Sequence, residues 1–144
     1  MGVAISQPIS IIGKKEEGEF IISPEDLNAY SHLTNDWNPL HYDEGIGRES
    51  VWGQCPAPGF LVYAKATEWI SKVVQPWWAP RSSRLKITKA AFIGQAYQVK
   101  VEVPDLPVNR AHARIVYVDL EVREKEAGGL ILEDRLTCFW SKEI

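Results

Sequence analysis

Tyr30-Ser31-His32-Leu33-Thr34-Asn35-Asp36-Trp37-Asn38-Pro39-Leu40-His41-Tyr42-Asp43 is the stretch on which the reading of this chain turns. Its fourteen residues hold two acids, two histidines, two asparagines and a proline. Pro39 cannot lie inside a helix, and Asn38 ahead of it is biased toward extended backbone. Residues 36–41 therefore read as a tight, rigid loop. Such a loop can hold the Asp36 carboxylate and the His41 imidazole close together. The pair suits proton transfer near neutral pH, because histidine titrates there and a nearby acid tunes it.

Working outward, Ser23-Pro24-Glu25-Asp26 is a helix start. Serine caps, proline takes the first helical position, and the acids favour the positive end of the helix dipole. Leu27, Tyr30 and Leu33/Thr34 follow at helical spacing, so this helix aims the loop. Residues 43–49 form one short helical turn, and 51–58 a loop broken by Gly53, Pro56 and Pro58. From Gly59, an apolar stripe of Leu61/Val62, Ala66, Trp69/Ile70 and Val73 predicts the longest helix, about sixteen residues and centrally buried, stopped by Pro76. Upstream, residues 1–12 suggest a strand or packed arm, 14–18 a charged turn and 19–22 a short strand.

The second half reads as strands. Leu85 and Ile87 alternate with Lys86 and Thr88. Tyr97, Val99, Val101 and Val103 alternate with Gln98, Lys100 and Glu102, as in a half-buried strand. A turn at 105–107 precedes a long strand over 111–123, with Val116, Val118, Leu120 and Val122 on its apolar face. Gly128-Gly129 makes a hairpin turn, and 130–140 closes the meander. Helices followed by antiparallel strands are an α+β order.

The chain has 144 residues, 45% hydrophobic and 24% charged, which suits one globular domain. A net charge of −3 argues against nucleic acid as a partner, and no apolar run is long enough to span a membrane. The start lacks a signal-peptide pattern, so a cytoplasmic location is expected. Met1-Gly2-Val3-Ala4-Ile5-Ser6 fits the myristoylation pattern, a short motif that recurs by chance. Cys55 and Cys138 read as free thiols. Six tryptophans suit a core, while Trp52, Trp77 and Trp78 lie in loop-like sequence where they can wall a ligand pocket. His32, Asp36, His41 and Asp43 match no familiar zinc spacing, so no metal is expected. His112 reads as a surface or packing residue.

The pattern Tyr30-x-x-Leu33-Thr34-x-Asp36-x-Asn38-Pro39-Leu40-His41-x-Asp43 resembles the hydratase-2 motif of the MaoC-like (R)-specific enoyl-CoA hydratases and dehydratases. The resemblance implies an α+β hot-dog fold, a long central helix wrapped by an antiparallel β-sheet, in a single domain over 1–144. It also implies a homodimer with each site near the interface. Asp36 and His41 would hold one water that adds to C3 of a trans-2-enoyl thioester, or leaves from an (R)-3-hydroxyacyl thioester. Which of the two takes the first proton stays open.

Asn38 would tie down the loop or orient His41. Gly59 would present a main-chain N–H to the thioester oxygen, as a helix N-terminus can. Thr67, two helical turns on, matches a serine that bonds the catalytic aspartate in the family. Each has a bland counterpart: a turn-capping Asp36 with a packed His41, a glycine that lets the chain turn, a helical threonine bonded to its own backbone. The sequence departs from the family at Pro58, where histidine is usual, and mildly at Asn35 and Gly47. These departures and the Trp-rich loops suggest a tailoring dehydratase of a biosynthetic pathway. The carrier is CoA or an acyl carrier protein, with no cofactor. Arg81, Arg84 and Lys86 would meet the carrier phosphate or edge a solvated strand. The alternatives are a hot-dog thioesterase, with Asp36 activating water, and a non-catalytic acyl-binding module.

Overall fold

The computed structural model describes residues 13–74, 79–104, 108–110 and 113–141. The strands are β1 (Lys15–Ile21), β2 (Ala79–Ser83), β3 (Lys86–Ile87), β4 (Ala96–Glu102), β5 (Val108–Arg110), β6 (Ala113–Glu124) and β7 (Leu130–Ser141). They form one sheet in the order β1-β4-β6-β7-β2, with β3 also on β7 and β5 on β6. Every pairing is antiparallel. The helices are α1 (Pro24–Thr34), α2 (Glu44–Glu49) and α3 (Gly59–Val73). This is the expected α+β hot-dog arrangement.

Alternation decides which face of the sheet is inside. Tyr97, Val99 and Val101 of β4 are buried, while Gln98 and Lys100 between them are exposed. Val99 lies opposite Val122 and Val101 opposite Leu120 on β6. Helix α3 covers this inner face with Leu61, Val62, Ala66, Trp69, Ile70 and Val73, the stripe its sequence predicts. Burying each such large aliphatic side chain contributes about 1.5–3 kcal/mol. Ala66 is fully buried, so a larger side chain there would overpack the helix against the sheet.

The outer face carries charge in ladder rows. One row runs Glu17, Lys100, Glu121, Glu133 and Lys86 across five strands. A hollow of about 530 Å³ on this face contains neither His41 nor Gly59. Several of its charges are matched within it: Lys15 pairs with Glu102 and Arg135 with Asp119.

Residues 14–18 are not a turn. Residues 15–18 belong to β1, which begins at Lys15. Gly18 reads as part of a turn in the sequence because glycine usually marks one. Here it is a strand residue whose missing Cβ makes room for the Trp69 indole of α3. Strands β2 and β5 were not foreseen. β2 carries Pro80 and an irregular register between Pro80 and Ser82, so it lacks a strand pattern. β3 is shorter than the alternation of 85–88 suggests. The remaining elements fall where expected. Residues 1–12, Trp77, Trp78, the 105–107 turn and His112 lie outside the described residues.

Candidate active site

Helix α1 places the motif. Ser23 and Asp26 form a capping box: Asp26 N–H donates to the Ser23 hydroxyl at 3.1 Å, and Ser23 N–H to the Asp26 carboxylate at 2.9 Å. Lys65 of α3 pairs with Asp26 at 3.0 Å, tying the two helices. Burial opposes the charge on Asp26. The Ser23 N–H and Lys65 outweigh it and hold the carboxyl below its ordinary value. The helix ends at Asn35, which takes the left-handed conformation at φ 58°. Asparagine is among the few non-glycine residues that tolerate it.

The loop then braces itself. The Asp36 carboxylate accepts from Asn38 N–H at 3.2 Å, and the Asn38 side-chain oxygen accepts from Leu40 N–H at 3.1 Å. Asn38 thus ties down the loop. Pro39–His41 forms a single 3-10 turn. Asp43 caps α2, accepting from Gly45 and Ile46 N–H at 2.9 and 3.1 Å. Tyr42 locks the loop onto α1. Its hydroxyl donates to the Leu27 carbonyl at 3.2 Å and also bonds the buried Ser31 hydroxyl. Trp37 stacks on Tyr42, and His32 meets Trp37 edge-on.

His41 is half-buried, and its Nδ1 lies 2.6 Å from the Pro56 carbonyl oxygen. A carbonyl only accepts, so Nδ1 carries the hydrogen and the neutral ring keeps its lone pair on Nε2. Pro56 is itself held to the second half of the chain. It bridges to Phe92, and Ala57 N–H donates to the Ala91 carbonyl at 2.8 Å. Sequence reading treated Pro56 only as a loop breaker. Its role rests on a main-chain carbonyl, which leaves no mark on residue choice.

A cavity of about 460 Å³ opens beside His41, within the usual range for a small-molecule site. Leu40, His41, Trp52, Gly59, Val62 and Ile87 are in its wall. His41 and Gly59 therefore share one cavity. Trp52 supplies the aromatic wall that its loop position suggested. Pro58 caps α3 without a side-chain hydrogen bond.

Asp36, half-buried, is not in that wall. It lies near Tyr30: burial and then the Asp36 charge push the Tyr30 phenol above its ordinary value. The Thr67 hydroxyl donates to the Ala64 carbonyl of its own helix at 2.7 Å, the backbone-bonded alternative. Arg81, Arg84 and Lys86 do not line the cavity. Arg81 stands over the Phe139 ring, Arg84 borders the outer charged hollow, and Lys86 lies opposite Glu133. Among the described residues, the lysine in the cavity wall is Lys89, which pairs with Glu124.

A second polar cluster escaped sequence reading. Asp134, only 4% exposed, accepts from the Tyr63 hydroxyl at 2.5 Å and the Ser83 hydroxyl at 2.7 Å. Asp134 shares its face of β7 with Leu132, Leu136 and Cys138, and its partners sit on α3 and β2. Among the described residues no group of histidines, cysteines and acids is placed to hold a metal. No helix among them is long and apolar enough to cross a membrane.

No family model matches the chain. Among curated proteins, a mitochondrial 3-hydroxyacyl-[acyl-carrier-protein] dehydratase of Arabidopsis thaliana is 38% identical over 42 residues. That match spans 29% of this chain and about a quarter of the relative, 25% of its length. Solved structures match far more of the chain. A monoamine oxidase regulatory protein from Archaeoglobus fulgius covers 92% of each chain at 23% identity, with TM-score 0.78. An (R)-hydratase from A. caviae involved in PHA biosynthesis aligns over 88% of this chain and 94% of its own, at 18% identity and TM-score 0.77. A MaoC-like dehydratase from Rhodospirillum rubrum aligns over 92% and 94%, at 16% identity and TM-score 0.74. These likenesses extend over nearly the whole chain in structure though not in sequence: the chain has the hot-dog fold of the MaoC-like dehydratases and (R)-hydratases.

Proposed function

We propose that this protein is a hydro-lyase that hydrates a trans-2-enoyl thioester, or dehydrates an (R)-3-hydroxyacyl thioester, carried by CoA or an acyl carrier protein. The observation that carries the reading is the His41–Pro56 hydrogen bond, which leaves the proton-accepting lone pair to Nε2 on a residue in the wall of the cavity that also holds Gly59. In the hydration direction, Nε2 takes a proton from water as the oxygen bonds to C3. The C2=C3 electrons move onto the thioester, and the enolate oxygen meets the Gly59 N–H. The imidazolium then returns the proton to C2, so one water is added and His41 ends neutral. Asp36 enters as the second holder of that water; this role rests on the Asp36-x-Asn38-Pro39-Leu40-His41 spacing. The reaction needs no cofactor.

The same proposal takes residues 1–144 as one cytoplasmic domain working as a homodimer. Leu33, Trp37, Tyr42, Val51 and Phe60 leave apolar surface exposed around the catalytic loop, which a second copy would cover.

The test is product analysis by mass spectrometry across trans-2-enoyl and (R)-3-hydroxyacyl thioesters. A gain or loss of one water that vanishes in His41→Ala and Asp36→Asn supports the proposal. Release of free acid and thiol instead would make the protein a thioesterase. Acyl-thioester binding without turnover would make it a binding module.

A further inference from the structure

Gly59 and Ile87 share a space that only one of them can fill. A Cβ built on Gly59 would stand 2.7 Å from Ile87 Cδ1 and 3.6 Å from its Cγ2, the first distance being too close for any real pair of carbons. The Ile87 side chain therefore occupies the volume that the missing side chain of Gly59 leaves at the start of α3. Ile87 is also in the wall of the His41 cavity and remains 43% exposed, so this contact lies at the cavity surface and not deep in the core. Strand β3, which carries it, is two residues long and pairs with β7, Ile87 lying opposite Leu132.

We infer that Ile87 is a specificity-determining residue that excludes thioesters substituted at C2. The inference rests on the proposed function, in which the thioester oxygen meets the Gly59 N–H. C2 is bonded to the carbon that bears that oxygen. A substituent on C2 then comes within reach of the Ile87 methyl groups, which stand against Gly59 in the same cavity wall. An unbranched acyl chain carries only hydrogen at C2 and passes. The expected substrates are straight-chain 2-enoyl thioesters, with the rest of the chain along Leu40, Val62, Ala91 and Ile131. One methyl group in a hydrophobic pocket is typically worth about 10- to 200-fold in discrimination.

The experiment compares crotonyl-CoA with its 2-methyl analogue, tigloyl-CoA, in the wild type, Ile87→Val and Ile87→Ala. The wild type should favour crotonyl-CoA in kcat/KM by about 10-fold or more. Ile87→Ala should narrow that ratio by about 10-fold, with Ile87→Val between. A ratio unchanged in folded Ile87→Ala overturns the inference. Calorimetric titration with the unreactive butyryl-CoA and isobutyryl-CoA separates this inference from the proposed reaction. In His41→Ala, turnover should be lost while the preference for butyryl-CoA stays. Wild-type protein without turnover on any thioester would sink the proposed reaction. The binding preference and its loss in Ile87→Ala would still decide the role of Ile87. Equal binding of the two esters, or binding of neither, overturns it.

Discussion

The imidazole of His41 hydrogen-bonds through Nδ1 to the main-chain carbonyl of Pro56, 2.6 Å away. The two residues lie on opposite sides of α2, and Pro56 is bridged to Phe92 beyond α3. Removing the imidazole by His41→Ala should lower kcat about 100- to 10,000-fold, the usual range for a lost general base. Pro56→Ala keeps a carbonyl at that position and should leave kcat within several-fold. Steady-state kinetics on the first thioester turned over would check both. Equal losses in the two variants would mean that the Pro56 ring, not its carbonyl, matters.

The close approach of Gly59 and Ile87 predicts strong coupling between them. Gly59→Ala should destabilise the fold by about 1–3 kcal/mol, the usual cost of overpacking. Ile87→Ala in the same chain should recover most of that loss. A double-mutant cycle by urea denaturation should give an interaction energy above about 0.5 kcal/mol. Additive losses would place the cost of Gly59→Ala elsewhere.

The Tyr63–Asp134–Ser83 cluster predicts alkaline sensitivity. Burial first, then the bond to Asp134, pushes the Tyr63 phenol up to about 12 from an ordinary 10.0. The folded state thus holds its proton more tightly than the unfolded chain does. The stabilisation is complete below about pH 10 and is lost as pH rises toward 12. Urea unfolding of the wild type should weaken across that window, and Tyr63→Phe should flatten the slope. Asp134→Ala leaves two hydroxyls without their acceptor and should cost about 2–4 kcal/mol at neutral pH.

The two thiols should separate in reactivity. Cys138 is fully buried, and burial followed by the charge of Asp134 pushes its thiol up to about 11. Cys55 is partly exposed, its Sγ lying 3.3 Å from the Asp43 carbonyl. Iodoacetamide at pH 8 should therefore label Cys55 and spare Cys138 until urea is added. Peptide mapping would read this directly, and early labelling of Cys138 would show that β7 opens locally.

Local signals carried much of the chain. The capping box at Ser23, the apolar stripe of α3 and the alternation in β4, β6 and β7 are written in residue spacing, because each depends on neighbours within a few positions. The same holds for the brace that Asp36, Asn38 and Pro39 make of the loop at 36–41. Gly18 shows the limit. Its glycine answers to Trp69, fifty-one residues away, and a reading by spacing takes it for a turn. β2 depends on pairing with β7, which supplies main-chain hydrogen bonds that side-chain pattern does not encode.

By itself, then, the sequence determined the loop that holds Asp36 and His41, the helices before and after it, and the α+β order. Tertiary structure alone decided which groups share a cavity. It tied Nδ1 of His41 to a carbonyl fifteen residues on, and set Ile87 over Gly59. It also put Lys89 in the cavity wall and kept Arg81, Arg84 and Lys86 out of it. The reason is physical. Local spacing fixes which face of an element a residue takes, whereas a cavity is made where faces of distant elements meet.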